Sequence, residues 1–249
     1  MIEHSTILFI ANEINLGNTK SFNNALKFTK EEYIIDLAAD DVLLPDCVAL
    51  QINAFKNSIY KNIGIVYGNA ELISEEGVFD SYYFSVDNQK KILQNRITGN
   101  AYLSILSGGN SLCSVSSMIK KNVYEDLKGY DETLAYEDLD FWIRASRNYE
   151  FDFIDEILVQ KRIVKNSLGT HFFQKNHTKA NKINHSTYLI LKKAIFLNRT
   201  KNEDLAIQKR VHFEIILCWK NKNYNLLLRN IFLRVLLSWR KNFKKYYSN

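Results

Sequence analysis

Up to about residue 160 the chain alternates short β-branched and aromatic runs with segments of helical period; from His171 onward only the helical period remains. Ser5–Ile10, Tyr33–Leu37, Gly64–Tyr67, Leu112–Met118 and Phe151–Val159 read as strands, with Ala70–Ile73 in a hairpin after the third. Thr19–Lys30, the stretch from Pro45 to Lys56, Lys120–Leu127 and the segment opening at Tyr136 read as helices. Pro45 suits a first helical turn, and the acids after Tyr136 suit a helix N-terminus. Such alternation predicts an α/β fold, a sheet flanked by helices, ending near residues 165–170.

Composition narrows the class. With 46% apolar and 24% charged residues over 249 positions, the chain is neither a disordered tail nor a fibre. Cys47, Cys113 and Cys218 are scattered and form no C-x-x-C, which excludes a disulfide framework and a Cys/His zinc site and fits a reducing cytoplasm. No apolar run approaches the ~18–20 residues of a membrane span, and the start lacks the basic region and apolar core of a signal peptide. The formal charge of +6 is uneven: residues 169–249 hold 17 Lys/Arg and 3 Asp/Glu, leaving the preceding body acidic. An acidic body suits metal or acid–base work, and a basic tail suits an anionic partner.

Two acidic clusters carry the candidate chemistry. Asp40-Asp41 ends a β-run, where open α/β sheets bind ligands and where a hard divalent ion takes one or two carboxylates; as an isolated dipeptide it serves equally as a helix N-cap. Glu137-Asp138 with Asp140 crowds three acids, and mutual repulsion raises a pKa toward that of a usable base; alone, the same acids are matched to a helix dipole. The histidines show no ligand spacing with acids.

The order of the pieces says more than each does. Asn15-Leu-Gly17 with Asn23 comes first, then Glu32-Tyr-Ile34 leading into Asp40-Asp41-Val-Leu-Leu-Pro45. Ser116-Ser117-Met118 precedes Gly129-Tyr-Asp-Glu132, then come Glu137-Asp-Leu-Asp-Phe-Trp-Ile-Arg144 and Phe153–Val159 with Arg162. Over about residues 5–168 this order resembles the family 2 glycosyltransferases of the GT-A fold. The resemblance implies a GT-A (Rossmann-like) mixed sheet flanked by helices over residues 1–168, and a basic helical extension over 169–249. It implies an inverting transfer of sugar from a nucleotide-sugar donor, expected as a UDP-sugar, to a glycan or lipid-linked acceptor in bacterial surface polysaccharide synthesis. Asp40 matches the ligand of a Mn²⁺ or Mg²⁺ ion, with Asp41 beside it, and Asn15 and Gly17 fall on the donor side. Asp138 matches the general base. Glu137 and Arg144 are implied as supporting residues, Arg144 on the substrate side, and Gly109 and Asn110 fall where acceptor loops lie.

Three departures accompany the resemblance. The chain opens at what matches the family's third strand, so the fold is expected to be N-terminally incomplete by roughly 40–50 residues that hold the nucleoside. Ala38 and Ala39 stand where a further acid is common. An Arg-x-His segment is replaced by Arg162-Ile-Val164. The competing expectation is accordingly a non-catalytic or truncated remnant, or a partner subunit.

At 100° per residue, residues 226–247 place Arg229, Arg234, Arg240, Lys241, Lys244 and Lys245 on one side and Ile231, Phe232, Val235, Leu236, Trp239, Phe243 and Tyr246 on the other. Leu226, Leu233 and Leu237 interrupt the cationic side. Such a helix either lies in an anionic membrane interface, giving a peripheral protein at the inner face of the plasma membrane, or docks its apolar stripe on the body. No nucleic-acid partner is expected: the plentiful aromatics come without a nucleic-acid motif.

Overall fold

The computed structural model describes residues 7–108, 112–164 and 178–242. Six strands, β1 (Tyr33–Ile34), β2 (Val42–Leu43), β3 (Ile63–Ile73), β4 (Phe79–Tyr82), β5 (Met118–Lys120) and β6 (Glu150–Arg162), form one mixed sheet. Its order is β1-β5-β3-β6-β2, with β4 added to the end of β3. β3 and β6 run parallel at the centre, and the other pairings are antiparallel. The helices are α1 (Asn18–Leu26), α2 (Cys47–Asn57), α3 (Tyr102–Ser107), α4 (Lys121–Leu127), α5 (Glu137–Ala145), α6 (Thr178–Leu197), α7 (Lys201–Lys220) and α8 (Tyr224–Asn242). This is the mixed α/β architecture expected from the alternation.

β3 is one 11-residue strand where the sequence suggested two short pieces. Its first eight residues are buried, as a central strand covered on both faces requires. Gly68 permits the close approach of β6: a Cβ there would stand 2.6 Å from Leu158 Cδ1 and 2.9 Å from the Glu156 carbonyl. The β3–β6 register shifts at this point. Asn69 covers the irregularity, its side chain accepting from Phe84 N–H at 2.8 Å and donating to Phe84 O at 2.9 Å.

Two expected strands are corrected. Residues 7–10 form no strand, and Ile7, Leu8 and Phe9 are exposed, Phe9 by 85%. β-propensity creates no ladder where no described strand lies alongside. The Leu112–Met118 run begins as a 3₁₀ turn at Ser114–Ser116 and becomes β5 only at Met118. The hydroxyls of Ser116 and Ser117 donate to Cys113 O at 2.8 and 3.3 Å, an alternative to the ladder that serines offer readily.

The basic helices are not an appendage to this body. Ile190, Leu191, Ile195, Ile207, Val211, Leu233 and Leu237 join the same apolar core as Tyr67, Phe141 and Phe151. α7 opens with a capping box between Thr200 and Glu203. The docked face of α8 is the reverse of the expected one. Leu226, Leu233 and Leu237, together with Asn230 and Arg240, are buried, while Ile231, Phe232, Val235 and Trp239 are exposed. Arg240 explains the rotation: it pairs with buried Asp204 at 3.0 Å and donates to the Ile195 and Asn198 carbonyls at the end of α6. No described helix is long and apolar enough to cross a membrane.

Candidate functional site

The Gly129-Tyr-Asp-Glu132 turn is built on α1. Gly129 has φ +72°, and the Asn23 side chain occupies the place a Cβ would take. Asn23 accepts from Tyr130 N–H at 2.9 Å and donates to Tyr130 O at 2.9 Å and Glu132 Oε1 at 3.1 Å. Asn23→Ala is therefore expected to cost about 2 kcal/mol, seen as a lower urea midpoint at unchanged slope; a loss below ~0.5 kcal/mol would mean that the turn holds itself. Phe22 packs on Tyr124 and Tyr130 at centroid distances of 5.1 and 4.8 Å, and Tyr124 stacks on Phe141 of α5 at 4.8 Å. The start of α5 is thus set by a chain of aromatic contacts.

That start carries the acids. Asp138 is pushed up to about 6 by burial first and by the charge of Glu137 second, against the pull of Lys161 and of the Leu139 amide it accepts at 2.7 Å. A helix N-terminus favours a carboxylate by about 0.3–1 kcal/mol, so burial wins here. Asp36, just beyond β1, joins this group. Burial raises its carboxyl, the Tyr130 hydroxyl that donates to it at 3.1 Å lowers it, and Glu137 raises it again.

Asp40-Asp41 hangs on the end of β6. Asp41 Oδ1 accepts from Arg162 N–H at 2.8 Å. The Arg162 guanidinium donates to the carbonyls of Asp40, Ser74 and Glu75 at 3.1, 2.9 and 2.8 Å, which makes it a staple for this turn. Burial raises Asp41; the Arg162 amide lowers it, Asp40 raises it, and Lys161 lowers it.

Lys161 lowers both Asp41 and Asp138, so its charge bears on both acid clusters. It is half-buried on β6, with its Nζ 5.7 Å from the centre of the Tyr83 ring. Among the described residues it forms no ion pair. Behind Tyr136, α7 contributes Arg210, hydrogen-bonded to Tyr136, and Glu214, 3.6 Å from Arg210 and pushed up to about 7 by burial. Arg210 also lies against Gly108. The helical region thus contributes to the surroundings of Tyr136, the residue just before Glu137 and Asp138.

Other expected residues fall elsewhere. Arg144 pairs with Asp140 at 2.6 Å and donates to the Leu127 and Gly129 carbonyls at 2.8 and 3.1 Å. It lines a hollow of about 480 Å³ with Tyr130, Asp131 and Lys193, and Asp138 is not among the lining residues. Asn15 and Gly17 are exposed and start α1: Asn15 Oδ1 accepts from Gly17 N–H at 2.9 Å, and Gly17 has φ +80°. Gly109 and Asn110 lie outside the described residues. Lys161 and Asp36 were not singled out from the sequence. An acid inside the apolar run Tyr33–Leu37 is the available signal for Asp36; a single lysine at the end of a strand gives none for Lys161.

The donor set constrains any ion. Among the described residues, no three His, Cys, Asp or Glu side chains are grouped as a metal cage. Asp40 is exposed, and one oxygen of Asp41 is taken by an amide. These residues fit a hard divalent ion that draws most of its oxygens from substrate and water, not an enclosed structural ion. Cys47, Cys113 and Cys218 are buried, and burial pushes each thiol up to about 11, away from the thiolate form.

No protein-family model matches the chain. It is 28% identical over 193 residues to a Methanocaldococcus jannaschii protein described as an uncharacterized glycosyltransferase, covering 71% of this chain and 61% of that one. It is also 28% identical over 200 residues to a Rickettsia typhi protein of the same description, covering 80% and 58%. The chain thus spans about six-tenths of the length of these relatives. Among solved structures, it is similar to a mannosyltransferase of Pyrobaculum calidifontis in complex with GDP-Man and Mn²⁺, with a TM-score of 0.48 and 13% identity over 92% of this chain and 61% of that one.

Proposed function

We propose that the chain is the catalytic part of a glycosyltransferase that moves a sugar from a nucleotide-sugar to an acceptor hydroxyl with inversion. What supports this reading is the raised carboxyl of Asp138 beside Glu137 at the start of α5, with the charge of Lys161 bearing on both Asp138 and Asp41. The sequence relatives named glycosyltransferase support it.

Asp138, poised near neutral pH, takes the acceptor proton as that oxygen bonds to the anomeric carbon. The bond from that carbon to the diphosphate breaks on the opposite face, and the electron pair leaves with the diphosphate. Glu137 helps hold Asp138 at a useful basicity. Lys161 draws the diphosphate oxygens toward the sheet and offsets their charge. Asp40, with Asp41 beside it, would hold Mn²⁺ or Mg²⁺, which when bound supplies Lewis-acid stabilisation of the departing group. Arg144 acts in support by bracing the Gly129 turn. Residues 1–168 form the catalytic part and 169–249 the basic helical part, with a glycan or lipid-linked acceptor in surface polysaccharide synthesis.

Calorimetric titration with UDP and with GDP, each with Mn²⁺, tests this. Saturable binding lost on chelation is expected for one of them. Lys161→Met is expected to weaken that binding about tenfold, corresponding to one lost charge-assisted contact of ~1.5 kcal/mol. No binding of either nucleotide would favour a non-catalytic partner subunit. Unchanged affinity in Lys161→Met would remove that residue alone from the scheme.

A further inference from the structure

The outward crest of α8 is apolar: Tyr224, Leu228, Ile231, Phe232, Val235 and Trp239 are all exposed, Leu228 by 67% and Phe232 by 66%. They share one side of the helix, opposite the buried leucines. Phe213, Ile216 and Trp219 form a second exposed line on α7. The rings of Trp219 and Tyr224, 6.3 Å apart, join the two lines at the α7–α8 turn. Scattered exposed apolar residues are ordinary, but a continuous crest over two helices is not.

The charges around the crest decide what it fits. Within α7 and α8 the acids are Glu203, Asp204 and Glu214, and all three are buried. Among the described side chains, the exposed charged residues of the α7–α8 hairpin are Lys201, Lys209, Lys220, Lys222, Arg229 and Arg234. Arg229 leans on Tyr188 of α6 and Arg234 on His212 of α7, so they border the α8 crest on its two sides. A second copy of this face would bring cations against cations. An anionic surface that also accepts apolar and indole side chains answers both features.

We infer that the α7–α8 hairpin is a docking surface for an anionic lipid bilayer, entered by the Leu228–Phe232–Trp239 crest and flanked by Arg229 and Arg234. It lies flat at the interface, since neither helix is apolar enough to span. This differs from a free amphipathic helix: the surface is preformed, held by Arg240 and the buried leucines.

The test is co-sedimentation of the full chain with phosphatidylcholine vesicles and with phosphatidylcholine–phosphatidylglycerol vesicles. Binding to the anionic vesicles that weakens with salt is expected, with a blue shift of tryptophan emission. The Leu228→Glu, Phe232→Glu double variant is expected to lose at least about tenfold in vesicle affinity at unchanged melting temperature, since both side chains are exposed. Equal binding to both vesicle types, no binding by the folded protein, or full binding by the double variant would overturn the inference. So would a wild-type dimer that the double variant makes monomeric, because the crest would then serve a second copy. No outcome depends on glycosyl transfer.

Discussion

Asp138→Asn is expected to lower transfer by about 10²–10⁴-fold while leaving nucleotide affinity within about twofold. The amide keeps the shape and the bond from Leu139 N–H but cannot take a proton. The wild-type pH profile sharpens the prediction. Asp138 works as a base only when charged, so kcat/KM should rise with pH through about 6 and then level off. The variant's residual rate should show no such limb. Stability moves in the opposite sense. The folded-state pKa is raised above the ordinary aspartate value, so this group favours folding below about pH 4 and loses that contribution as pH rises through about 6. At pH 7–8 the neutral asparagine should therefore be more stable than the wild type by up to ~3 kcal/mol. Joint loss of turnover and gain of stability identifies a strained base; a variant that transfers sugar normally would end the assignment of Asp138.

Most of the elements were legible because their local signals agree. The acid-rich start of α5, the period of α2 after Pro45 and the apolar run of β3 all point the way the fold goes. What failed depended on neighbours. Ile7–Phe9 reads as a strand on composition, but a strand needs a partner ladder that the run itself does not encode. Leu226, Leu233 and Leu237 looked like blemishes on a cationic face and are the docked face; only the position of Asp204, on another helix, reveals it. The site divides in the same way. Asp40, Asp41, Glu137 and Asp138 stand out as paired acids. Lys161 does not, because nothing local to a lone lysine on a strand tells that its charge bears on two carboxyls distant in the chain.

Arg240 and Arg234 test this dependence on neighbours directly, since the sequence gives them equal standing. Arg234 is exposed, and its replacement by alanine should change stability by no more than ~0.5 kcal/mol. Arg240 is buried, and Asp204 opposite it is fully buried. Asp204 also accepts from Asn198 Nδ2 at 2.8 Å, and Asn198 Oδ1 accepts from the Tyr102 hydroxyl at 2.9 Å, so the arginine closes a network reaching α3. Arg240→Met keeps the aliphatic stem and removes the charge. It leaves the buried Asp204 carboxylate without this cation and frees the two carbonyls at the end of α6. The expected cost is about 3–5 kcal/mol, read as a large drop in urea midpoint. Adding Asp204→Asn should recover part of it, because the neutral amide no longer needs a cation. A single-variant cost under ~1 kcal/mol would mean that water reaches Asp204, and the face of α8 would then be set by its leucines alone. A large cost with partial rescue would make the ion pair the element that turns the apolar crest outward.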